Sequence, residues 1–414
     1  MVSIEKHKIN PNKKIIDDLK LQIIYMPLES TLGYKYSPIV KVGEYVYVGQ
    51  TLAVNKVADL SLKSSASGTI VGIEEKYIAN GNLVKCFVIE NDFKEKHINK
   101  VGKRKNISNY NKDEFVYMLK EYGISGLGGS DYPTYLKYNT EEKIHYLIVN
   151  AAECESYTSS DSALMYHNSE EILEAIDAIM EIMDIDKAYI AISENNTKVI
   201  KQFLKNINTY PNIKLYGLLD VYPSGWDKAL INEILGVTYD KDPSSLGVVV
   251  NNVATIYAIY EMLKYNKPVT ERVITIAGAG VKKEANYKVK IGSNFSEIML
   301  KTDGYSNIKN AILGAGDAMR GKAIPTDELI ITKDLRTILV LPDNTIESID
   351  CIKCGKCSEV CPVKLMPSLM INDKKKNKYA DKCISCGLCS YVCPSKIDVR
   401  EIIEKLKGDK NERV

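Results

Sequence analysis

Two copies of one cysteine motif lie near the carboxyl end of this 414-residue chain, and they constrain its fold more than any other feature. The segments CIKCGKCSEVCP (351–362) and CISCGLCSYVCP (383–394) share the spacing Cys-x2-Cys-x2-Cys-x3-Cys-Pro. Three closely spaced thiolates can ligate three corners of a 4Fe–4S cube, and in this spacing the fourth cysteine ligates the other cube. The sequence therefore predicts a ferredoxin-type domain with two 4Fe–4S clusters.

The crossed ligation divides the eight cysteines into two sets. A structural zinc site, the alternative, normally uses two cysteine pairs separated by about a dozen or more residues, and the repeated three-cysteine run fits that pattern poorly. We therefore expect one cluster on Cys351, Cys354, Cys357 and Cys393, and a second on Cys361, Cys383, Cys386 and Cys389.

Composition excludes several classes of function. The chain carries 26% charged residues and a net charge of +2, so it lacks the strongly basic balance of a nucleic-acid-binding protein. No apolar run approaches the roughly 20 residues that cross a bilayer, and residues 1–14 lack the apolar core of a secretory signal. The sequence predicts a cytoplasmic protein without a transmembrane segment, which could associate with a membrane only as part of a complex.

Residues 1–108 are expected to form the first domain. Between residues 39 and 74, β-branched residues alternate with turn residues, a pattern typical of paired hairpins. The pattern resembles a barrel-sandwich hybrid of the biotinyl/lipoyl type, in which a hairpin tip can carry a modified lysine. Lys56 is the candidate lysine, but the residues around it fit a modification motif poorly. A structural barrel is therefore favoured over a swinging arm.

A second domain is predicted at 109–265. Helical patterns such as SEEILEAIDAIMEIM (169–183) alternate with short apolar runs such as KAYIAIS (187–193). This alternation predicts a Rossmann-like parallel sheet covered by helices, so the fold class is multidomain α/β. Ligands of such sheets bind beyond the carboxyl ends of the strands.

Two smaller domains complete the chain. Residues 266–340 combine two short strands, glycine turns and a helix, which predicts a β-grasp module. Residues 341–414 hold the cysteine motifs and end in a charged helical segment. The lysine run at 374–376 is expected to be a solvated loop, and a docking patch for an acidic redox partner is the less favoured alternative.

The segment GLGGSDYPTYLK (126–137) predicts a close approach of the backbone to a ligand. Glycine adopts positive φ without strain and can turn N–H groups toward a phosphate or a flat ring, although a tight turn without a ligand is the alternative. The segment precedes the first strand of the second domain and NAAECE (150–155) ends it, so both are expected at one crevice. Because 4Fe–4S clusters exchange single electrons, a flavin in this crevice would be the usual converter to a two-electron donor.

The order of these features resembles the RnfC family, the NADH-oxidising subunits of membrane-bound ferredoxin:NAD⁺ oxidoreductases, which are related to the 51-kDa flavin-binding subunit of respiratory complex I. The barrel, the glycine loop, NAAECESY (150–157), NNVAT (251–255), the β-grasp module and the twin cysteine motif follow in the family order. The resemblance implies a β-grasp module of the SLBB type. Because the family's amino-terminal Gly-Gly-Ile-His-Pro segment is missing, the chain most resembles the branch associated with D-proline reductase (PrdC).

The resemblance also implies roles for ten residues of the second domain. Each residue taken alone has a structural alternative, such as a turn glycine or a solvated carboxylate at the end of a strand. By position, the expected catalytic carboxylates beside the flavin and the nicotinamide are Glu153 and Glu155, and the expected residues of the FMN and nucleotide site are Gly126, Gly128, Gly129, Lys137, Asn150, Asn251, Asn252 and Thr255.

Three positions depart from the family pattern. Asp131 stands where the family loop has glycine, Ser156 replaces a proline and Ala254 replaces a glutamate. Asp131 lies at the expected position of closest backbone approach, where its carboxylate would repel a phosphate and its Cβ would crowd a ring. The departure at Asp131 therefore predicts altered or lost nucleotide binding.

The resemblance implies an electron-transfer oxidoreductase subunit. Electrons would pass from NADH through FMN to two 4Fe–4S clusters and on to a redox partner, either proline reductase or an Rnf-type complex. A non-catalytic iron–sulfur relay or scaffold that has lost nucleotide binding is one alternative. A flavin-dependent reductase of a corrinoid cofactor is another.

Overall fold

The computed structural model describes residues 2–99, 101–239, 242–371 and 379–411, so the lysine run at 374–376 lies outside the described residues. Among the described residues, no helix is both long and apolar enough to cross a membrane.

The amino-terminal unit is a barrel of two antiparallel sheets, as the sequence predicted. One sheet has the strand order β1-β7-β6-β3 and the other has the order β2-β4-β5. Alternate residues such as Ile24, Ile70 and Ile89 are buried between the sheets, and Lys56 is exposed at the hairpin tip. The strands are β1 (Ile23–Pro27), β2 (Ser37–Pro38), β3 (Tyr45–Val46), β4 (Thr51–Asn55), β5 (Leu60–Lys63), β6 (Gly68–Tyr77) and β7 (Leu83–Asn91).

Residues 2–17, which we call the amino-terminal strap, contact the two middle units rather than the barrel. Val2 forms a β-bridge with Tyr222, and Ile16 forms one with Tyr287. The backbone hydrogen bonds of the strap are thus made with residues far away in sequence.

The second unit has the predicted parallel sheet, with the strand order β10-β9-β8-β11. The register pairs Asn252 with Asn150, so the carboxyl ends of β11 and β8 lie side by side. The elements are α1 (Lys112–Glu121), α2 (Tyr135–Tyr138), β8 (Tyr146–Ala151), α3 (Ser160–His167), α4 (Ser169–Met183), β9 (Lys187–Ser193), α5 (Thr197–Asn206), β10 (Ile213–Leu218), α6 (Asp227–Leu235), β11 (Val248–Asn252) and α7 (Val253–Tyr265). The apolar face of α4 is buried, as its helical period requires.

The third unit is a five-stranded mixed sheet with the order β13-β12-β16-β14-β15 and one short helix. The sequence predicted two strands and the helix, but not the three later strands, because glycines interrupt the alternation around residues 314–316. The elements are β12 (Glu271–Ala277), β13 (Ala285–Lys290), α8 (Phe295–Leu300), β14 (Ala311–Ala315), β15 (Lys322–Ile324) and β16 (Thr337–Pro342).

The last unit packs the cysteine motifs around a small apolar core that includes Leu365, Met370 and Ile403. It docks on the third unit through Arg400, which donates hydrogen bonds to the carbonyl oxygens of Met319 at 3.1 Å and Gly321 at 3.5 Å. Its helices are α9 (Lys356–Glu359), α10 (Pro367–Met370), α11 (Leu388–Tyr391) and α12 (Val399–Asn411).

Equivalent glycines of the two cysteine motifs provide a test of this docking. Gly355 and Gly387 have φ of +79° and +82°, but a Cβ on Gly355 would meet no atom within 4 Å, whereas one on Gly387 would lie 2.2 Å from the carbonyl oxygen of Met319. Gly355→Ala should cost about 1–2 kcal/mol through backbone strain. Gly387→Ala should cost a further ~1–3 kcal/mol because the loop must move away from the third unit. Thermal unfolding and iron content of anaerobically purified protein measure the difference, and equal losses in both variants would contradict the docking.

Candidate functional site

A crevice of about 870 Å³ opens at the carboxyl edge of the parallel sheet. Its volume falls within the roughly 300–1,000 Å³ range of small-molecule and cofactor sites. All ten residues that the sequence assigned to cofactor binding or catalysis line it: Gly126, Gly128, Gly129, Lys137, Asn150, Glu153, Glu155, Asn251, Asn252 and Thr255. The structure thus brings these residues together, and their individual roles stay predictions.

The glycine loop forms one wall of the crevice and is closed by its own hydrogen bonds. The amide of Gly126 donates to the carbonyl of Tyr132 at 2.8 Å, and the amide of Asp131 donates back to the carbonyl of Gly126 at 3.0 Å. The loop is seated on α7, because the amide of Leu127 donates to Oγ1 of Thr255 at 3.0 Å. A Cβ on Gly128 would lie 2.7 Å from the side chain of Asn252, so the close packing of loop and strand end requires glycine there.

Asp131 does not face the crevice, contrary to the sequence-based expectation. Asp131 has a positive φ of +47°, which aspartate tolerates better than most residues. Its side chain lies on the reverse face of the loop. There it lines a small separate cavity, and its Oδ1 accepts a hydrogen bond from Oγ of Ser125 at 2.7 Å. Repulsion of a crevice-bound phosphate therefore does not follow from the substitution.

The three asparagines of the crevice organise its framework. Asn150 donates from its amide to the carbonyl of Gly225 at 2.6 Å, and Asn251 donates to the hydroxyl of Tyr138 at 2.6 Å. Asn252 caps α7 by accepting from the amide of Ala254 at 2.9 Å. These bonds fix the two strand ends and the loop that frame the cavity.

The two predicted catalytic carboxylates are buried, so the alternative of a solvated carboxylate at Glu153 is wrong. Glu153 accepts from the amide of Asp161 at 2.8 Å and from the hydroxyl of Ser162, so it neutralises the amino end of α3. Burial raises the pKa of Glu153, and Lys8 of the strap opposes the shift. Burial alone would also raise the pKa of Glu155, but the Arg336 guanidinium lowers it to about 2.

Arg336 is a central residue of the site that sequence reasoning missed. It lies immediately before β16, and its Nη2 donates to Glu155 at 3.0 Å while its Nη1 lies 3.5 Å from Oδ2 of Asp161. Because the three side chains are buried, the ionised form of each one is stabilised by the opposite charge of its partners. No pattern in the surrounding sequence marks this arginine, because its partners lie more than 170 residues away.

The amino end of α6 supplies a second set of crevice residues that the sequence did not identify. Trp226 is the N-cap of α6 and makes no side-chain capping bond, and Trp226, Asp227 and Lys228 line the cavity at this end of the helix. The guanidinium of Arg320 lies 5.0 Å from the centre of the Trp226 ring. Trp226 is the one tryptophan of the sequence, which is the signal that could have drawn attention to it.

The charges of the crevice suit a phosphorylated ligand. Five cationic side chains and three carboxylates line it, and this excess of positive charge attracts anions. Together with the glycine-lined wall, the uncapped amino end of α6 and an aromatic face at Trp226, the donor set fits FMN, whose phosphate needs N–H donors and whose ring needs flat contacts. The residues are Lys137, Lys228, Arg320, Arg336 and Lys364, with Asp227, Glu153 and Glu155.

The cysteines show the crossed arrangement at the second cluster site. Cys361 of the first motif lines one cavity with Cys383, Cys386 and Cys389 of the second motif. Burial, with the neighbouring thiols, raises the pKa of Cys389 to about 12, so these sulfurs need a cationic group to be held as thiolates. Backbone amides of Leu365 and Ser385 donate to Sγ of Cys361 at 3.3 Å and of Cys383 at 3.4 Å, as amides do around iron–sulfur clusters.

At the other site, Cys351 and Cys354 are close enough to Cys357 for their charges to raise the pKa of its thiol, after the larger effect of burial. Across the part of the chain that the structure describes, no three His, Cys, Asp or Glu side chains converge as closely as a single metal ion requires.

The crevice extends to the second cluster site. Pro362 and Val363 follow Cys361 directly, Ile384 follows Cys383, and all three line the crevice. Tyr222, which is fully buried, donates from its hydroxyl to the carbonyl oxygen of Cys386 at 2.6 Å and so joins the crevice wall to this cluster loop.

Three family models match the chain. They describe an RnfC barrel sandwich hybrid domain at residues 2–94, a Nuo51 FMN-binding domain at 119–261 and a 4Fe–4S dicluster domain at 344–395. The chain thus carries domains of the FMN-binding and dicluster types.

Relatives of known description share most of the chain. The C subunit of the proton-translocating ferredoxin:NAD⁺ oxidoreductase complex of Clostridium ljungdahlii is 30% identical over 355 residues, which are 84% of this chain and 77% of that protein. The C subunit of the Na⁺-translocating complex of Acetobacterium woodii is 29% identical over 356 residues, which are 84% of this chain and 80% of that protein. An NAD⁺-reducing NiFe hydrogenase structure matches 73% of this chain and 61% of its own with 14% identity and a TM-score of 0.47.

The buried charges around Arg336 give a stability prediction. Arg336→Met would leave Glu155 and Asp161 buried without their cation, so the free energy of unfolding should fall by about 3–5 kcal/mol. Lys283→Met is the matched control, because Lys283 lies 3.7 Å from Asp303 in an exposed pair and should change stability by less than about 0.5 kcal/mol. Urea denaturation followed by circular dichroism measures both, and a similar small loss in the two variants would contradict the network.

Proposed function

Because this chain belongs to the RnfC family of ferredoxin:NAD⁺ oxidoreductase C subunits, we propose that it passes electrons from NADH through FMN to its two 4Fe–4S clusters and on to an Rnf-type protein partner. The family and its cofactor domains rest on the relatives and the matched models. The direction of electron flow and the order of the clusters are proposed from the geometry, and the type of partner is proposed from the relatives.

The observation that carries the proposal is the shared wall between the crevice and the second cluster site. Ile384 lines the crevice and is covalently bonded to Cys383, and Pro362 stands in the same relation to Cys361. A cofactor in the crevice would therefore lie beside the cluster held by Cys361, Cys383, Cys386 and Cys389. FMN, when bound there, would accept hydride as a two-electron unit and release single electrons.

The residues of this chain would hold and shield the cofactor. The glycine loop offers backbone N–H groups without side-chain bulk, and Lys228 with the amino end of α6 would hold a phosphate. Pro362, Val363 and Ile384 form an apolar side of the crevice that excludes water. Glu155 stays ionised because Arg336 holds its pKa at about 2, so its charge is constant over the physiological pH range.

The first cluster site suits the exit of electrons. Cys354 is exposed, whereas its counterpart Cys386 is buried. Ile352 and Tyr391 are also exposed, by 61% and 55%, and both lie within two residues of a ligand of the first cluster, Cys351 or Cys393. An apolar surface around an accessible cluster ligand favours contact with a partner protein. We propose a cytoplasmic subunit that meets its partner at this surface.

Finer assignments stay predictions from the sequence. These are the SLBB identity of the third unit, the individual roles of the ten crevice residues and the branch that is associated with D-proline reductase. The relay and corrinoid alternatives both predict that NADH is not oxidised, so one experiment separates them from the proposed function.

Anaerobic reduction by NADH is that experiment. Protein purified without oxygen should contain about eight irons and one FMN per chain, and NADH should bleach the flavin and cluster absorbance together. The control is the same protein treated with the buffer alone. A protein with eight irons but without FMN or NADH-driven bleaching would be a relay. Electron transfer from the chemically reduced protein to a corrinoid, without NADH oxidation, would favour the corrinoid alternative.

Single-cluster variants test the order of the clusters. In Cys386→Ala, NADH should bleach the flavin in stopped-flow but leave the remaining cluster oxidised, because the cluster beside the crevice is lost. In the matched variant Cys354→Ala, both the flavin and the remaining cluster should bleach. Flavin bleaching in both variants shows that the crevice is intact, and cluster bleaching in Cys386→Ala would reverse the proposed order.

A further inference from the structure

The reverse face of the glycine loop holds a group of charges, one buried and three half-buried, that no role in the crevice explains. Asp131 is at its centre, and the groups that face it are Ser125 of the loop, Lys333 and Asp334 before β16, Arg272 of β12 and Tyr36 of the barrel. Three units of the fold therefore meet behind the wall of the cofactor crevice.

Two cations of this group hold the amino-terminal side of the loop through backbone carbonyl oxygens. Nζ of Lys333 donates to the carbonyl of Gly123 at 2.9 Å, and Nη2 of Arg272 donates to the carbonyl of Leu127 at 3.2 Å. Arg272 also donates to the backbone carbonyl of Lys333, so it is fixed to the segment that carries the second cation. The loop is thus fastened to the third unit by charged donors.

Asp131 supplies negative charge to these donors. Burial lowers the pKa of Lys333, and the carboxylate of Asp131 is what opposes that shift, while Lys63 adds to it. Burial raises the pKa of Asp131 itself to about 6, so the carboxylate is still ionised at neutral pH. Removing it would leave the half-buried cation of Lys333 without that compensation.

Asp131 also restrains the loop directly. Its hydrogen bond to Ser125 closes the loop across six residues, and its positive φ is one that glycine would adopt with greater freedom. A glycine at this position would leave the loop with more conformations when no cofactor is bound, and ordering it on binding would cost free energy.

We propose that Asp131 is a positioning residue that holds the glycine loop in its cofactor-binding shape from behind. The substitution then replaces the freedom of the family's glycine with a turn that is fixed by the hydrogen bond from Ser125 and by the attraction between the carboxylate and Lys333. It strengthens cofactor binding instead of blocking it. This inference rests on the proposed function for the identity of the cofactor, FMN. The expected effect of Asp131→Gly is therefore weaker FMN binding, by about tenfold, the size expected for loss of a hydrogen bond to a charged group.

The first measurement is the affinity of the flavin-free full-length protein for FMN, followed by quenching of flavin fluorescence. Asp131→Gly should raise the dissociation constant about tenfold, and Asp131→Asn, which keeps an acceptor for Ser125 but loses the charge, should give a smaller increase. The matched control is Asp184→Gly, because Asp184 also has a positive φ of +51° and pairs with a lysine, Lys143 at 3.0 Å, but ends α4 at an exposed site outside the crevice. The control should bind FMN like the wild type.

The second measurement does not require FMN. Hydrogen exchange of the peptide that covers 124–134, in the flavin-free protein, should be about tenfold faster in Asp131→Gly than in the wild type, and unchanged in Asp184→Gly. Equal or slower exchange, or tighter FMN binding by Asp131→Gly, would overturn the inference. A wild type that fails to bind FMN would instead overturn the proposed function, and the exchange experiment would still decide the role of Asp131.

Discussion

The ion pairs of Arg336 are the interaction on which the candidate site depends. This arginine belongs to the third unit, but its partners, Glu155 and Asp161, belong to the parallel-sheet unit. Lys8 of the strap lies 3.7 Å from Glu153, the neighbouring carboxylate. Buried ion pairs add little net stability, but losing one partner is costly. The crevice therefore keeps its shape only when the third unit and the parallel-sheet unit are packed so that Arg336 reaches its two carboxylate partners.

The two cysteine motifs are nearly identical in sequence but not in surroundings. The second motif is packed against the third unit and the crevice, through Gly387 and through the hydroxyl of Tyr222 on Cys386. The first motif leaves Gly355 and Cys354 toward solvent. A symmetric repeat thus becomes an asymmetric pair, with one site beside the cofactor crevice and one at the surface. The proposed electron path follows from this asymmetry: electrons enter at the site beside the crevice and leave at the site on the surface.

Sequence patterns were sufficient for the features that depend on local order. The alternation of apolar runs predicted the parallel sheet with bounds such as Lys187–Ser193, the cysteine spacing predicted the dicluster domain, and the motifs around Gly126 and Asn251 pointed to one crevice. Features that depend on the direction of a side chain, or on partners far away in the sequence, could not be predicted. The side of the loop on which Asp131 lies depends on the three-dimensional path of the loop, and the roles of Arg336 and Lys8 depend on contacts across more than 140 residues.

Iron-edge anomalous diffraction from anaerobic crystals soaked with FMN tests the central claim most directly. The account predicts two four-iron sites, one bounded by Cys361, Cys383, Cys386 and Cys389, with flavin density between that site and the glycine loop. Flavin density elsewhere, or a cluster beside the crevice that is ligated by Cys393 instead of Cys361, would contradict it.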